Sequence, residues 1–279
     1  MRSVKEILGQ GKKQLQQYNI DISEARLLLA FVLGIEKTKL YSIEQCQEDI
    51  ANRFFECIKL RCEGMPYAYI VGTQEFMKLP FKVNSNVLIP RADTEILVEN
   101  VIATIKEINQ KNIKVLDMCT GSGCIAISID KYVDNIDVVG ADISQEAIDI
   151  AKINNDINET EVEFIQSDLF QSLQNEKFNI IVSNPPYIKS SDISTLQLEV
   201  LKEPYIALDG GSDGLRMYTD IIAGAKEYLT DEGYLIFEIG FDQGKDVCDI
   251  LSKEGYVDIK IIKDLSNNDR VIKCRFLKK

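Results

Sequence analysis

The segment Asn184-Pro185-Pro186-Tyr187 directly follows the apolar run Phe178-Asn179-Ile180-Ile181-Val182-Ser183. Such a run reads as a buried strand. Two successive prolines stop it, because each fixes its own φ, lacks an N–H and restricts the residue before it. The carbonyls of Asn184 and Pro185 therefore cannot join a continuing sheet and are free to point into a cleft. An amide side chain, a free carbonyl and an aromatic face together suit a flat group carrying an NH2. Two oxygens accept its N–H protons while the ring covers its plane. That is the chemistry of nitrogen methylation.

A second constellation lies upstream. Val115-Leu116-Asp117-Met118-Cys119-Thr120-Gly121-Ser122-Gly123-Cys124-Ile125-Ala126 reads as a strand, a tight turn and a helix start. Gly121 and Gly123 let the backbone turn sharply and approach a ligand closely, and the helix N-terminus offers free N–H groups to a negative group. Taken alone, G-x-G-x-x-A also fits a dinucleotide fingerprint. Asp142 ends the next strand, about 25 residues beyond Asp117, where a carboxylate accepts from ribose hydroxyls. That device serves NAD enzymes and S-adenosylmethionine enzymes alike. Ser167-Asp168-Leu169-Phe170 ends the third strand. There Asp168 would accept from an exocyclic adenine amine with Leu169 over a ring face, or would serve as a helix N-cap. The fourth strand discriminates, since an NAD enzyme has no need of Asn-Pro-Pro-Tyr at that point.

Elements that place these residues follow from periodicity. Strands are expected at 114–118, 137–142, 162–166, 179–183 and 234–239, then 257–263 and 271–277. Helices are expected at 125–132, 145–155 and 217–229, with another from Thr94 to about Ile108. Alternating strands and helices imply an α/β fold with a doubly wound, mostly parallel sheet, whose ligands sit at the carboxyl ends of the strands. Only a short turn-rich gap, Asp264 to Arg270, separates the last two strands, which predicts an antiparallel C-terminal pair.

Residues 1–75 read as a small helical bundle. Asp21-Ile22-Ser23-Glu24 has the form of a capping box, and Gly34 is a stop signal. Phe54, Phe55 and Ile58 mark a second amphipathic stretch. Residues 76–91 read as a β-hairpin linker with its turn near Asn84–Asn86, and 92–279 as the catalytic domain. The bundle carries no chemistry of its own, so substrate docking is its expected use.

Composition narrows the class. The chain has 279 residues, 45% of them hydrophobic, which is ordinary for a globular protein. No apolar run long enough for a membrane span and no secretory leader is evident, so a cytoplasmic protein is expected. Seven cysteines without a C-x-x-C pair, and no histidine at all, argue against a metal site. The missing histidine also removes every Ser-His and Cys-His nucleophile scheme. Residues 1–85 hold 12 Lys and Arg against 10 Asp and Glu, while 86–279 hold 20 against 34. A strongly acidic motif-bearing half disfavours a long nucleic-acid substrate.

Asp117 through Gly123 together with Asn184 through Tyr187 resemble the class I S-adenosylmethionine methyltransferases of planar nitrogens. Further segments are similar to one branch, the peptide chain release factor glutamine N5-methyltransferases (PrmC/HemK). They are Pro90 to Glu95, Ser183 to Ile188, Glu203-Pro204, Ala207 to Gly211 and Asp213-Gly214-Leu215. The resemblance spans nearly the whole chain. Ala92 departs from a proline common in the family and Cys119 from a usual glycine. Because Cys119 is small, the cofactor loop is expected to survive.

The resemblance implies S-adenosyl-L-methionine as cofactor and the glutamine of the Gly-Gly-Gln motif in class 1 release factors as substrate. A monomer that binds neither nucleic acid nor membrane directly is expected. Asn184 and Pro185 would be catalytic, with Pro186 and Tyr187 completing substrate binding. Cys119, Thr120, Gly121, Ser122, Gly123, Asp142, Asp168, Leu169 and Asn184 would bind cofactor. The segment from Lys189 to Gly211 would cover the site or contact the partner. The nearest alternative is an adenine N6 or guanine N2 methyltransferase acting on DNA or RNA, whose base amine fits the same acceptors after flipping.

Overall fold

The computed structural model describes residues 1–108, 110 and 112–278. Contacts divide the chain into two compact units. One is Met1–Gly72 with Gln197–Lys202, and the other is Thr73–Leu196 with Glu203–Lys279.

In the first unit, strand β1 (Arg2–Ser3) leads into helix α1 (Val4–Gln17), followed by α2 (Glu24–Leu33), β2 (Gln45–Cys46), α3 (Glu48–Cys62) and α4 (Tyr67–Val71). Val4, Ile7 and Leu15 of α1 bury against Leu28 and Leu29 of α2 and against Phe54 and Ile58 of α3. Gly11 permits that approach, since a Cβ there would stand 2.5 Å from the Phe54 ring. Gly34 ends α2 in the left-handed conformation, φ 67°, as its position predicts.

The capping box does not form. Asp21 accepts from the Ser23 backbone N–H at 2.8 Å, but Glu24 turns away to Arg61. There the buried guanidinium donates to Glu24 at 2.5 Å and to Glu199 at 2.6 Å. A buried guanidinium needs carboxylate partners more than a helix end needs a second cap. Through Glu199, residues 197–202 pack with this unit.

The second unit opens with a hairpin, β3 (Thr73–Phe76) and β4 (Leu79–Lys82). Its turn falls at Met77 and Lys78, φ 50° and 62°, not near Asn84–Asn86. Two successive positive φ values match the right-handed twist of paired strands, and Phe76 pairs with Leu79 across it. Asn84 makes a separate turn, accepting from Asn86 N at 2.9 Å. Phe76 and Phe81 are buried with the helices of this unit. Asn154 clamps Lys82 on both sides, accepting at 2.6 Å and donating at 3.1 Å.

The remaining elements are α5 (Glu95–Glu107), β5 (Ile113–Met118), α6 (Cys124–Tyr132), β6 (Ile136–Asp142), α7 (Gln145–Asn158), β7 (Glu163–Gln166) and β8 (Phe178–Ser183). They are followed by α8 (Arg216–Ala225), β9 (Leu229–Glu238), α9 (Gly244–Lys253), β10 (Val257–Lys263) and β11 (Asp269–Arg275). The seven-stranded sheet runs β10-β11-β9-β8-β5-β6-β7. Its first five strands in sequence are parallel, and β11 is antiparallel to β9 and β10. This is the expected α/β architecture with its antiparallel C-terminal pair.

Alternation along β5 explains the two layers. Val115 packs with α5, α6 and α7 on one face, whereas Leu116 and Met118 pack with α8 and α9 on the other. Strand order reverses between β5 and β8, so their carboxyl ends flank the crevice where such sheets hold ligands.

Candidate active site

At the end of β5, Asp117 is fully buried. Its Oδ2 accepts from the Thr120 hydroxyl at 2.6 Å and from the Ala126 N–H at 3.2 Å. One N–H of the first turn of α6 is thereby used internally and is not offered to a ligand. Burial pushes the Asp117 carboxyl up to about 7. Sequence reasoning treated Asp117 only as a strand end. Here it braces the loop.

The loop itself turns through three positive φ values, 63° at Cys119, 55° at Gly121 and 80° at Gly123. Cys119 thus holds a left-handed conformation that costs a non-glycine residue about 1–2 kcal/mol, and the turn still forms. Thr120 N–H donates to Ala141 O at 3.0 Å, and Gly123 N–H to Thr120 O at 2.9 Å. At Gly123 a Cβ would come 2.9 Å from the Phe164 ring, so glycine is required for space as well as for φ.

Asp142 ends β6 beside this loop. Its Oδ2 accepts from Gly121 N–H at 2.9 Å and its Oδ1 from Ser144 N–H at 2.9 Å. Each oxygen keeps a further lone pair. Burial raises its pKa, against the pull of those backbone N–H groups. Asp168 is exposed and accepts from the Gln171 side chain at 3.0 Å. It does not cap the following turn. The Ser167 hydroxyl does so, accepting from Ser172 N–H at 3.0 Å.

A cavity of about 600 Å³ opens here, lined by Cys119, Gly121, Asp142, Asp168, Leu169, Asn184 and Pro186 among others. Seven of the residues singled out in the sequence thus share one cavity. Thr120, Ser122 and Gly123 lie behind its wall, and Pro185 and Tyr187 are also outside the lining. Apolar surface comes from Met118, Ala141, Ile143 and Ala147, and a further wall from Val87, Leu88, Tyr205 and Ile206.

That further wall is fastened by Glu203, whose side chain is 1% exposed. It accepts from Ile89 N–H at 3.0 Å and pairs with Arg91. Glu203-Pro204, within the 189–211 segment, therefore packs as part of the cavity unit. Glu203→Ala strands the Ile89 N–H and breaks the ion pair. Stability should fall by about 2–4 kcal/mol, read as a lower denaturant midpoint, with Glu203→Gln losing less.

Around the proline motif, Asn184 donates from Nδ2 to the Thr94 hydroxyl at 3.3 Å. The carboxyl of Glu238 at the end of β9 lies beside this amide, which lowers its pKa. Among the described residues, neither Asn184 Oδ1 nor the Pro185 carbonyl receives a hydrogen bond. The Tyr187 ring is half-buried, and its hydroxyl is pushed up to about 12 by burial. Gln243 donates to the Tyr187 carbonyl at 3.0 Å and to the Gly214 carbonyl at 3.1 Å. Gly210 packs on the same backbone, where a Cβ would lie 2.7 Å from Tyr187 Cα. Sequence reasoning missed Glu238, Thr94 and Gln243. Glu238 carried a signal, a lone carboxylate closing the apolar strand Tyr234-Leu235-Ile236-Phe237 at the ligand end of the sheet.

Comparison with known proteins gives a consistent picture. Residues 6–72 match the PrmC N-terminal domain, and residues 92–211 match the methyltransferase small domain. A release factor glutamine methyltransferase of Clostridium acetobutylicum is 40% identical over 280 residues, covering 96% of this chain and 97% of its own length. One from Fusobacterium nucleatum subsp. nucleatum is 43% identical over 255 residues, covering 89% and 72%. Among solved structures, a methyltransferase from Pyrococcus furiosus matches with a TM-score of 0.54 at 17% identity, over 73% of this chain and 91% of that one. At that identity the likeness shows the fold alone.

Proposed function

The chain belongs to the release factor glutamine methyltransferases, and from that premise we propose that it methylates the side-chain amide nitrogen of the Gly-Gly-Gln glutamine in class 1 release factors. The observation that carries this reading is the pair of unengaged oxygens, Asn184 Oδ1 and Pro185 O, at the carboxyl end of β8. A primary amide has two N–H protons and a nitrogen lone pair delocalised into its carbonyl. Accepting both protons returns density to nitrogen and fixes the amide plane, over which the Tyr187 ring packs. Positioning and electrostatics of this kind supply much of an enzymatic rate.

S-adenosylmethionine fits the neighbouring cavity. Its volume of about 600 Å³ suits a nucleoside-sized group. The spare lone pairs of Asp142 suit ribose hydroxyls, and Asp168 with Leu169 suits an adenine edge and face. When bound, the cofactor would supply a methyl group from a positively charged sulfur, its S–CH3 bond giving way to the N–CH3 bond. The proton lost from the methylated nitrogen passes to water. We propose the helical unit, Met1–Gly72 with Gln197–Lys202, as the docking surface for the protein substrate.

The test is incubation with labelled S-adenosylmethionine and, separately, a class 1 release factor, tRNA, rRNA and DNA. Label is expected on the Gly-Gly-Gln glutamine. Label on a base amine with none on the release factor would replace this reading by the nucleobase alternative.

A further inference from the structure

The acceptor role of Asn184 has a requirement that its own side chain does not meet. A carboxamide rotated by 180° exchanges oxygen for NH2, and NH2 facing the substrate amide would repel it. Something must distinguish the two orientations. Asn184 Nδ2 faces Thr94 Oγ1 at 3.3 Å, and the Glu238 carboxyl lies beside both side chains, each of which lowers its pKa. Thr94 and Glu238 are each 2% exposed. Glu238 Oε2 has no hydrogen-bond partner among the described residues. Glu238 is not part of the cavity lining, so it stands behind Asn184.

We propose that Glu238 is a positioning residue for methyl transfer: its buried carboxylate, with Thr94, holds the Asn184 NH2 inward so that Oδ1 faces the substrate amide. This rests on the reading of Asn184 as the amide acceptor. An ionised carboxylate only accepts, which permits one orientation of the amide. A protonated Glu238 also donates, and can then hold Asn184 by its oxygen and turn the NH2 outward.

The charged and titratable groups around Glu238 are Arg270 on β11, Asp93 in the turn before α5, Tyr187 after the proline motif, Tyr218 on α8 and Cys124 at the start of α6. Burial pushes Glu238 up to about 7, while Thr94, Arg270 and Asn184 hold it down. Turnover of the wild type should therefore rise with pH through about 7, as the carboxylate forms and orients the amide.

The experiment measures kcat and the KM values for the release factor and for S-adenosylmethionine from pH 5.5 to 9 in wild type, Glu238→Gln and Thr94→Val, with thermal melts to confirm folding. Glu238→Gln should lower kcat at least tenfold at high pH, leave the cofactor KM unchanged and abolish the pH rise. Thr94→Val removes a hydroxyl that lowers the Glu238 pKa, so its kcat midpoint should move to higher pH. Full kcat in Glu238→Gln, or a reduced kcat that keeps the wild-type pH rise, overturns the inference. Should Glu238→Gln not fold, an unmoved midpoint in Thr94→Val overturns it instead. A wild type that fails to methylate the release factor refutes the proposed function, which is a separate result.

Discussion

Asn184→Ala is expected to lower kcat for methyl transfer by about 10²–10³-fold, the effect of removing one preorganised charge-stabilising contact, while the protein still folds. The magnitude follows from geometry. Asn184 spends its Nδ2 on Thr94, which leaves its Oδ1 as the amide acceptor that the proline motif offers. Pro185 can still accept one N–H through its carbonyl, which leaves residual activity. The other amide proton then bonds to water, and the plane of the substrate is no longer fixed. Asn184→Asp makes a sharper comparison. It keeps an acceptor but places a second carboxyl against buried Glu238, so it should recover activity only where one of the two is ionised. Single-turnover rates with saturating cofactor check both. Near-wild-type turnover in Asn184→Ala would remove the acceptor role altogether.

The second large effect concerns Asp142. Asp142→Ala should weaken S-adenosylmethionine binding by about 10²-fold, as expected for losing two hydrogen bonds to a charged acceptor. Part of that loss is indirect, since Asp142 also holds the Gly121 and Ser144 N–H groups and so keeps the turn against β6. Asp142→Asn retains one acceptor oxygen and should lie between wild type and alanine. Burial raises the Asp142 pKa, and only the ionised form accepts at both oxygens. Affinity should therefore fall as pH drops through that raised value. Titration calorimetry at two pH values measures both effects. An Asp142→Ala protein that binds the cofactor as tightly as wild type would move the ribose site elsewhere.

Much of the site is legible because its determinants are consecutive residues. Asn184-Pro185-Pro186-Tyr187 ends its strand through covalent restrictions on φ and missing N–H groups, which no tertiary contact can reverse. Gly121 and Gly123 announce a left-handed turn, and the structure forms it even with Cys119 also at positive φ. The strand ends at Asp142 and Ser183 were readable from apolar runs, because a strand buried on both faces leaves a continuous signal. The local signals that failed were those with a stronger distant competitor. Glu24 has the spacing of a capping residue but goes to Arg61, 37 positions away. The Asn84–Asn86 turn is real, yet the hairpin closes at Met77–Lys78, where the strand register and the burial of Phe76 and Phe81 agree.

By itself, then, the sequence determined the methyl-acceptor motif, the cofactor turn and the alternation of strands and helices, because each depends on backbone restrictions within a few residues. The tertiary structure alone decided which loop residues line the cavity and which stand behind it. It also decided that Glu203 fastens one wall to Ile89 and Arg91, and that Thr94 and Glu238 form a buried pair behind Asn184. Those three come from the turn before α5 and the ends of β8 and β9. Only the parallel pairing of β8 with β9 and the packing of α5 on the sheet bring them together, and what makes the cluster matter is the exclusion of water, which no run of residue types encodes.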